Sequence, residues 1–105
     1  MRIESVKENV NFRRAYHQGK SFVAKEMVVY WRKNRMGKER LGITVGKKIG
    51  NSPERNRVRR IIREAVWANR DLLPKGCDLI IVARSRALSC KSTDLAKIIK
   101  EIFSA

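Results

Sequence analysis

The segment Pro53-Glu54-Arg55-Asn56-Arg57-Val58-Arg59-Arg60-Ile61-Ile62-Arg63-Glu64-Ala65 constrains the fold most, because its two sides have opposite needs. At about 100° per residue, Val58, Ile61, Ile62, Ala65 and Val66 form one aliphatic stripe, with the spacing of a helix packed on a core. Asn56, Arg59, Arg60 and Arg63 take the opposite side, while Arg55 and Arg57 flank the stripe. The chain must therefore place this helix at the edge of a core with its outer side open. A merely solvated helix face would carry acids one turn from its bases, yet Glu54 and Glu64 are the only acids in the segment. Arg55 with Arg59 and Arg59 with Arg63 are like charges one turn apart, costing about 0.2–0.5 kcal/mol each in an isolated helix. An external polyanion would relieve them, and arginine's planar fork suits phosphate oxygens.

The whole chain carries the same bias. Against 10 acids stand 25 Lys and Arg in 105 residues, a formal charge of +15, and the sequence pI is near 10.8. That composition points to nucleic acid. Residues 47–63 alone hold seven basic groups against one acid. With 43% hydrophobic residues, the chain is expected to form a single domain, residues 1–105, around one modest core. No apolar run approaches a membrane span and the first residues are polar, so a cytoplasmic protein without membrane contact is expected.

Protein-borne catalysis finds no support. Cys77 and Cys90 are too few for a disulfide framework and are read as reduced thiols, and His17 is the only histidine. No metal-ligand spacing and no nucleophile-base constellation is present. Gly42, Gly46 and Gly50 surround Lys47 and Lys48 without forming a dinucleotide or phosphate-loop motif. A strand precedes the arginine-rich helix, which disfavours a helix-turn-helix.

The expected order is helix, strand, strand, helix, strand, helix. Ser5 and Glu8 form a capping box for a first helix ending near Gly19. Residues 21–33 and 41–45 read as an antiparallel hairpin turned at 34–38, with Tyr30, Val28 and Phe22 on one side. Ser52 is the expected N-cap of the arginine helix, with Pro53 at its first position. After Pro74-Lys75-Gly76, the unbroken Leu79-Ile80-Ile81-Val82 predicts a strand over 77–83 buried on both faces. A last helix from near Ser92 carries Leu95, Ile98, Ile99, Ile102 and Phe103 at helical spacing. This order describes an α/β (α+β) sandwich with one small sheet.

Phe12 and Tyr16 lie one turn apart in the first helix with Arg13, Arg14 and Lys20 close by in sequence. Aromatics among cations make a platform on which single-stranded bases stack, although such a pair also serves as helix-to-sheet core. Two sequence stretches then carry a resemblance. Leu41-Gly42-Ile43-Thr44-Val45-Gly46-Lys47-Lys48-Ile49-Gly50-Asn51 followed by Arg55-Asn56-Arg57-Val58-Arg59-Arg60-Ile61-Ile62-Arg63-Glu64 resembles the signature of the protein subunit of bacterial ribonuclease P. Phe12, Tyr16, Gly19, Val29-Tyr30 and Asp78-Leu79-Ile80-Ile81-Val82-Ala83 extend the match to nearly the full chain.

The resemblance implies a subunit of an RNA-based endoribonuclease that removes the 5′ leader of precursor tRNA. The catalytic groups and most of the Mg²⁺ would belong to the RNA, with no catalytic residue and no metal ligand in this chain. Arg55, Asn56, Arg57, Arg59, Arg60 and Arg63 would bind the catalytic RNA. Phe12, Tyr16 and Tyr30, with Lys47 and Lys48 at the edge, would form the leader cleft. The family's fold has a mixed sheet and a left-handed strand-helix-strand crossover, against the roughly 98% right-handed rule. The free protein would be monomeric. Departures are small: Ser52-Pro53 replaces small or branched apolar residues, Tyr16 stands in for Phe, and Gly46 lacks the polar side chain that relatives often carry. A structural RNA-binding protein, such as a ribosomal protein, is the alternative. It would need the basic helix but not the aromatic cleft.

Overall fold

The computed structural model describes Glu4–Ser5 and residues 19–35 and 37–104. Five strands, β1 (Glu4–Ser5), β2 (Lys20–Val23), β3 (Met27–Lys33), β4 (Arg40–Thr44) and β5 (Cys77–Ala83), form one mixed sheet in the order β1-β4-β5-β3-β2. Helix α1 (Ser52–Ala68) connects β4 to β5, and α2 (Ser92–Phe103) follows β5. Short 3₁₀ turns lie at Lys47–Ile49, Arg70–Leu72 and Ser85–Ser89. The expected first helix, with Phe12, Tyr16 and His17, lies outside the described residues; the backbone of Ser5 pairs with Leu41 in β1, a strand that sequence reading did not anticipate.

The apolar run at 79–82 takes the central place. β5 lies parallel to β4 and antiparallel to β3, and both faces of its middle are covered. Leu79 and Ile81 join the main core, whereas Ile80, pointing the other way, is also fully buried. The α1 stripe is buried as expected through Val58, Ile61, Ile62, Ala65 and Val66, and meets Leu95 and Ile99 of α2 in the same core. Asn69, at the C-terminal end of α1, ties the helices together by donating from Nδ2 to the carbonyls of Ala65 (3.0 Å) and Ala96 (2.9 Å). On the sheet, Trp31 packs edge-on against Phe103 of α2 with ring centroids 5.0 Å apart.

Three local expectations are corrected. Residues 21–33 and 41–45 do not pair with each other, because β5 sits between them. The hairpin is inside the first segment instead, where the Ala24 N–H donates to the Met27 carbonyl (2.9 Å) and the chain reverses from β2 into β3. A strand as apolar as β5 is stabilised most by having a neighbour on each side, so it displaces the sequence-local pairing. The reversal also changes which side chains share a face. Phe22 pairs with Val29 and Ser21 with Tyr30, so Phe22 joins the helix-covered face while Tyr30 and Val28 occupy the other.

The third correction is the start of α1. Its N-cap is Asn51, whose Oδ1 accepts from the Glu54 N–H (3.0 Å), and the Glu54 carboxylate accepts from the Asn51 N–H (2.9 Å). With the cap moved one residue back, Glu54 reaches the third helical position and the capping box is complete. Gly50 leaves the space for it, since a Cβ there would lie 2.7 Å from Oε1 of Glu54.

Candidate nucleic-acid interface

The arginines of α1 divide into two sets. Arg60 and Arg63 are exposed; among the described residues the ion-pair partner of Arg60 is Glu64, at 3.8 Å, with 69% of the Arg60 side chain in solvent. Such a pair is worth little and leaves the guanidinium available. Arg59 is half-buried and donates from Nη1 to Asn56 Oδ1 (3.0 Å), which holds two hydrogen-bonding groups of the outer face side by side. Arg55 donates from Nη2 to Ser52 Oγ (3.0 Å), and its Nε is buried without a hydrogen-bond partner.

Arg57 turns inward. Its Nη1 donates to the Leu88 carbonyl (3.0 Å) and its Nη2 to the Cys90 carbonyl (2.8 Å), fastening α1 to the segment that links β5 to α2. Its flanking position at the edge of the aliphatic stripe places it over that segment instead of over solvent. The structure therefore separates Arg57 from Asn56, Arg59, Arg60 and Arg63, with which sequence reasoning had grouped it.

Lys47 and Lys48 are exposed on the 3₁₀ turn between β4 and α1. They line a groove of about 620 Å³ together with Thr44, Gly46, Val82 and Arg84. Thr44 and Val82 are register partners, and Val82 also pairs with Val28 of β3. One row along the same face come Gly42, Ile80 and Tyr30. The groove, with an apolar floor and a basic rim, thus lies on the same face of the sheet as Tyr30, which is one row away beyond the buried Ile80. A Cβ at Gly46 would meet nothing within 4 Å, so this position widens the groove without a steric need for glycine.

Arg84 was missed in the sequence. Its Nη1 donates to the Ala24 carbonyl (3.1 Å), which anchors it beside the β2-β3 turn. Only the adjacency of parallel β4 and β5 brings it to Lys47 and Lys48, and that adjacency is not encoded in local spacing. Phe12 and Tyr16 lie outside the described residues, so of the expected aromatic cleft the structure describes Tyr30.

Among the described residues, no group of three or more His, Cys, Asp or Glu side chains could hold a metal ion, and no helix is long and apolar enough to cross a membrane. Burial pushes the Cys77 thiol up to about 11, with Glu39 and Asp78 adding to the effect, and burial likewise raises Cys90. A rise from 9.0 to about 11 leaves roughly 100-fold less thiolate at Cys77. Iodoacetamide at pH 8 should therefore label both cysteines slowly in the folded protein and rapidly in denaturant, as read by intact mass. Rapid labelling of folded Cys77 would contradict the burial.

The sequence model of the ribonuclease P protein family matches residues 1–105. The chain belongs to the ribonuclease P protein family. The ribonuclease P protein component of Clostridium acetobutylicum is 39% identical over 106 residues, spanning 99% of this chain and 89% of the relative. That of Natranaerobius thermophilus is 42% identical over 81% of this chain and 74% of the relative. The solved ribonuclease P protein of Staphylococcus aureus superposes with a TM-score of 0.83 at 30% identity, covering 98% of this chain and 94% of that one. The Thermotoga maritima ribonuclease P protein gives 0.82 at 28% identity, covering 95% and 94%. As a ribonuclease P protein the chain is a subunit of an endoribonuclease of tRNA processing, which sets aside the ribosomal alternative.

Proposed function

We propose that this chain binds the catalytic RNA of ribonuclease P through the outer side of α1 and holds the single-stranded 5′ leader of precursor tRNA in the groove beside it. The observation that carries this reading is the contiguity of the two surfaces: the Lys47–Ile49 turn forms the groove rim and leads through Asn51 directly into α1. Asn56, Arg59, Arg60 and Arg63, with Arg55 at the edge, would pair with phosphates of the catalytic RNA. Lys47, Lys48 and Arg84 would track the leader backbone while Tyr30, and Phe12 and Tyr16 of the preceding segment, offer faces to its bases. Arg57 serves by fixing the segment behind the helix.

Chemistry is assigned to the RNA and to Mg²⁺ held mainly by it, a reading that membership of the ribonuclease P protein family supports. What the protein supplies is position: a leader held beside the catalytic RNA fixes the cleavage junction relative to the reacting groups. The free protein is proposed to be cytoplasmic and monomeric.

The test is to mix the protein with a ribonuclease P RNA and labelled precursor tRNA at low Mg²⁺. Cleavage should be stimulated, and a precursor with a leader of several nucleotides should bind more tightly than mature tRNA. Tyr30→Ala should remove about 1–3 kcal/mol of that preference without changing mature tRNA binding. No stimulation by the wild-type protein would defeat the proposal.

A further inference from the structure

A second groove, of about 550 Å³, lies at the other end of the sheet and is lined by Lys20, Trp31, Arg32, Lys33, Pro74 and Lys75, among others. We propose that it is a separate binding site for the phosphodiester backbone of folded RNA. The inference rests on the RNA-binding reading of this chain but concerns residues outside the α1 face and the leader groove.

Its position makes it distinct. Lys33 pairs with Cys77 at the start of β5, whereas the leader groove is lined by Val82 and Ala83 at the strand's end. Five to six residues of strand, at about 3.3 Å each, separate the two by roughly 17–20 Å. Most of the second groove's sheet lining also belongs to the opposite face, with Arg32 reaching it from Tyr30's side. Lys20 pairs with Trp31, so Lys20, Trp31, Lys33 and Cys77 all project to the helix-covered side, away from Tyr30. One extended strand of RNA seated in the first groove does not enter the second.

The chemistry selects the ligand. Lys20, Lys33 and Lys75 are exposed, and the described residues that line the groove include no acid, with Glu39 and Asp78 close enough to act on Cys77. The lysines act as compact point charges suited to phosphates, the pattern of a contact that positions a nucleic acid, and Arg32 adds a further cation. Trp31, half-buried and braced edge-on by Phe103, gives the groove an apolar wall. Outside residues 47–63 the chain still carries 18 basic groups against 9 acids, so its cationic surface is not confined to α1. An RNA that folds round the sheet can engage both ends, making the protein a bridge between two segments of its partner.

The experiment uses the full chain with Lys20→Gln, Lys33→Gln and Lys75→Gln combined, and ribonuclease P RNA as probe. Three lost phosphate contacts should flatten the slope of log affinity against log salt by about 2–3 units and weaken binding about 100-fold at 0.15 M salt. The corresponding triple Lys→Arg variant should restore both, and thermal unfolding of all variants should match the wild type because the side chains are exposed. A Lys→Gln triple variant that binds with wild-type slope and affinity would overturn the proposal. Unchanged RNA binding with lost adsorption to phosphatidylserine vesicles would do so too, giving the groove to a lipid surface. Arg59→Ala, measured in parallel, keeps the two ideas apart: if it leaves RNA binding untouched while the lysine variant weakens it, the α1 reading fails and the second groove stands.

Discussion

Replacing Arg40 with alanine should cost about 3–5 kcal/mol of folding stability, because it strands a buried carboxylate. Asp78 is 6% exposed on the central strand. Arg40 donates to it from Nε and Nη2, both at 2.7 Å, and Asn34 donates from Nδ2 at 2.9 Å while also reaching the Lys38 carbonyl at 2.8 Å. The cluster fastens β4, β5 and the loop between β3 and β4 at one point. Burial by itself would raise the Asp78 carboxyl, but the bonds from Arg40 and Asn34 outweigh it and hold the group below its ordinary value. A carboxyl depressed in the folded state contributes stability that is present above its unfolded value, near 3.9, and lost as pH falls through the folded one. The wild type should therefore keep this contribution down to about pH 4. In Arg40→Ala the unpaired carboxyl should titrate upward, so mild acid should recover part of the loss. At about 4 °C per kcal/mol for a chain of this size, the unfolding temperature at pH 7 should fall by roughly 12–20 °C. Adding Asp78→Asn should recover part of the loss by removing the unpaired charge. A fall of less than about 1 kcal/mol in Arg40→Ala would show that water or another cation already serves Asp78.

That cluster also shows where sequence reading stops. The aliphatic stripe of α1, the span and double-sided burial of β5, and the apolar positions of α2 were legible because each rests on periodicity or on one continuous run. Asp78 paired with Arg40 was not legible, since 38 residues separate them and only the parallel β4-β5 pairing makes them neighbours. The same long-range step misled the strand pairing. Local spacing favoured a hairpin between 21–33 and 41–45, while the gain from burying β5 decided the order of the sheet. Tyr30 was placed correctly on a face with Val28, but Phe22 was not, because alternation fails across the reversal at Ala24. The cap of α1 was misread by one residue: Ser52-Pro53 gives an ordinary start signal, and the Asn51-Glu54 reciprocity outcompetes it. The hand of the β4-α1-β5 crossover came only from family resemblance, as spacing carries no chirality.

The division within the Arg-Asn-Arg segment gives the sharpest expectation for the site. Arg57→Ala should lower stability by about 2–4 kcal/mol, since it removes two charge-assisted hydrogen bonds and leaves the carbonyls of Leu88 and Cys90 short of a donor. Its own contribution to the salt dependence of RNA binding should be nil. Arg59→Ala should do the reverse, with stability within about 0.5 kcal/mol of wild type and a salt slope flatter by about 0.7–0.9. Combining Arg59→Ala with Arg60→Ala and Arg63→Ala should flatten the slope by about 2–3 units and weaken binding about 100-fold at 0.15 M salt. Arg57→Lys provides the control. It keeps the charge, but one ammonium cannot reproduce the planar fork that reaches two carbonyls, so only part of the stability should return. Thermal unfolding of the free proteins and titration of ribonuclease P RNA across a range of salt separate these outcomes. If Arg57→Ala and Arg59→Ala flatten the slope equally with no loss of stability, Arg57 leaves its carbonyls to meet RNA and belongs to the binding face after all.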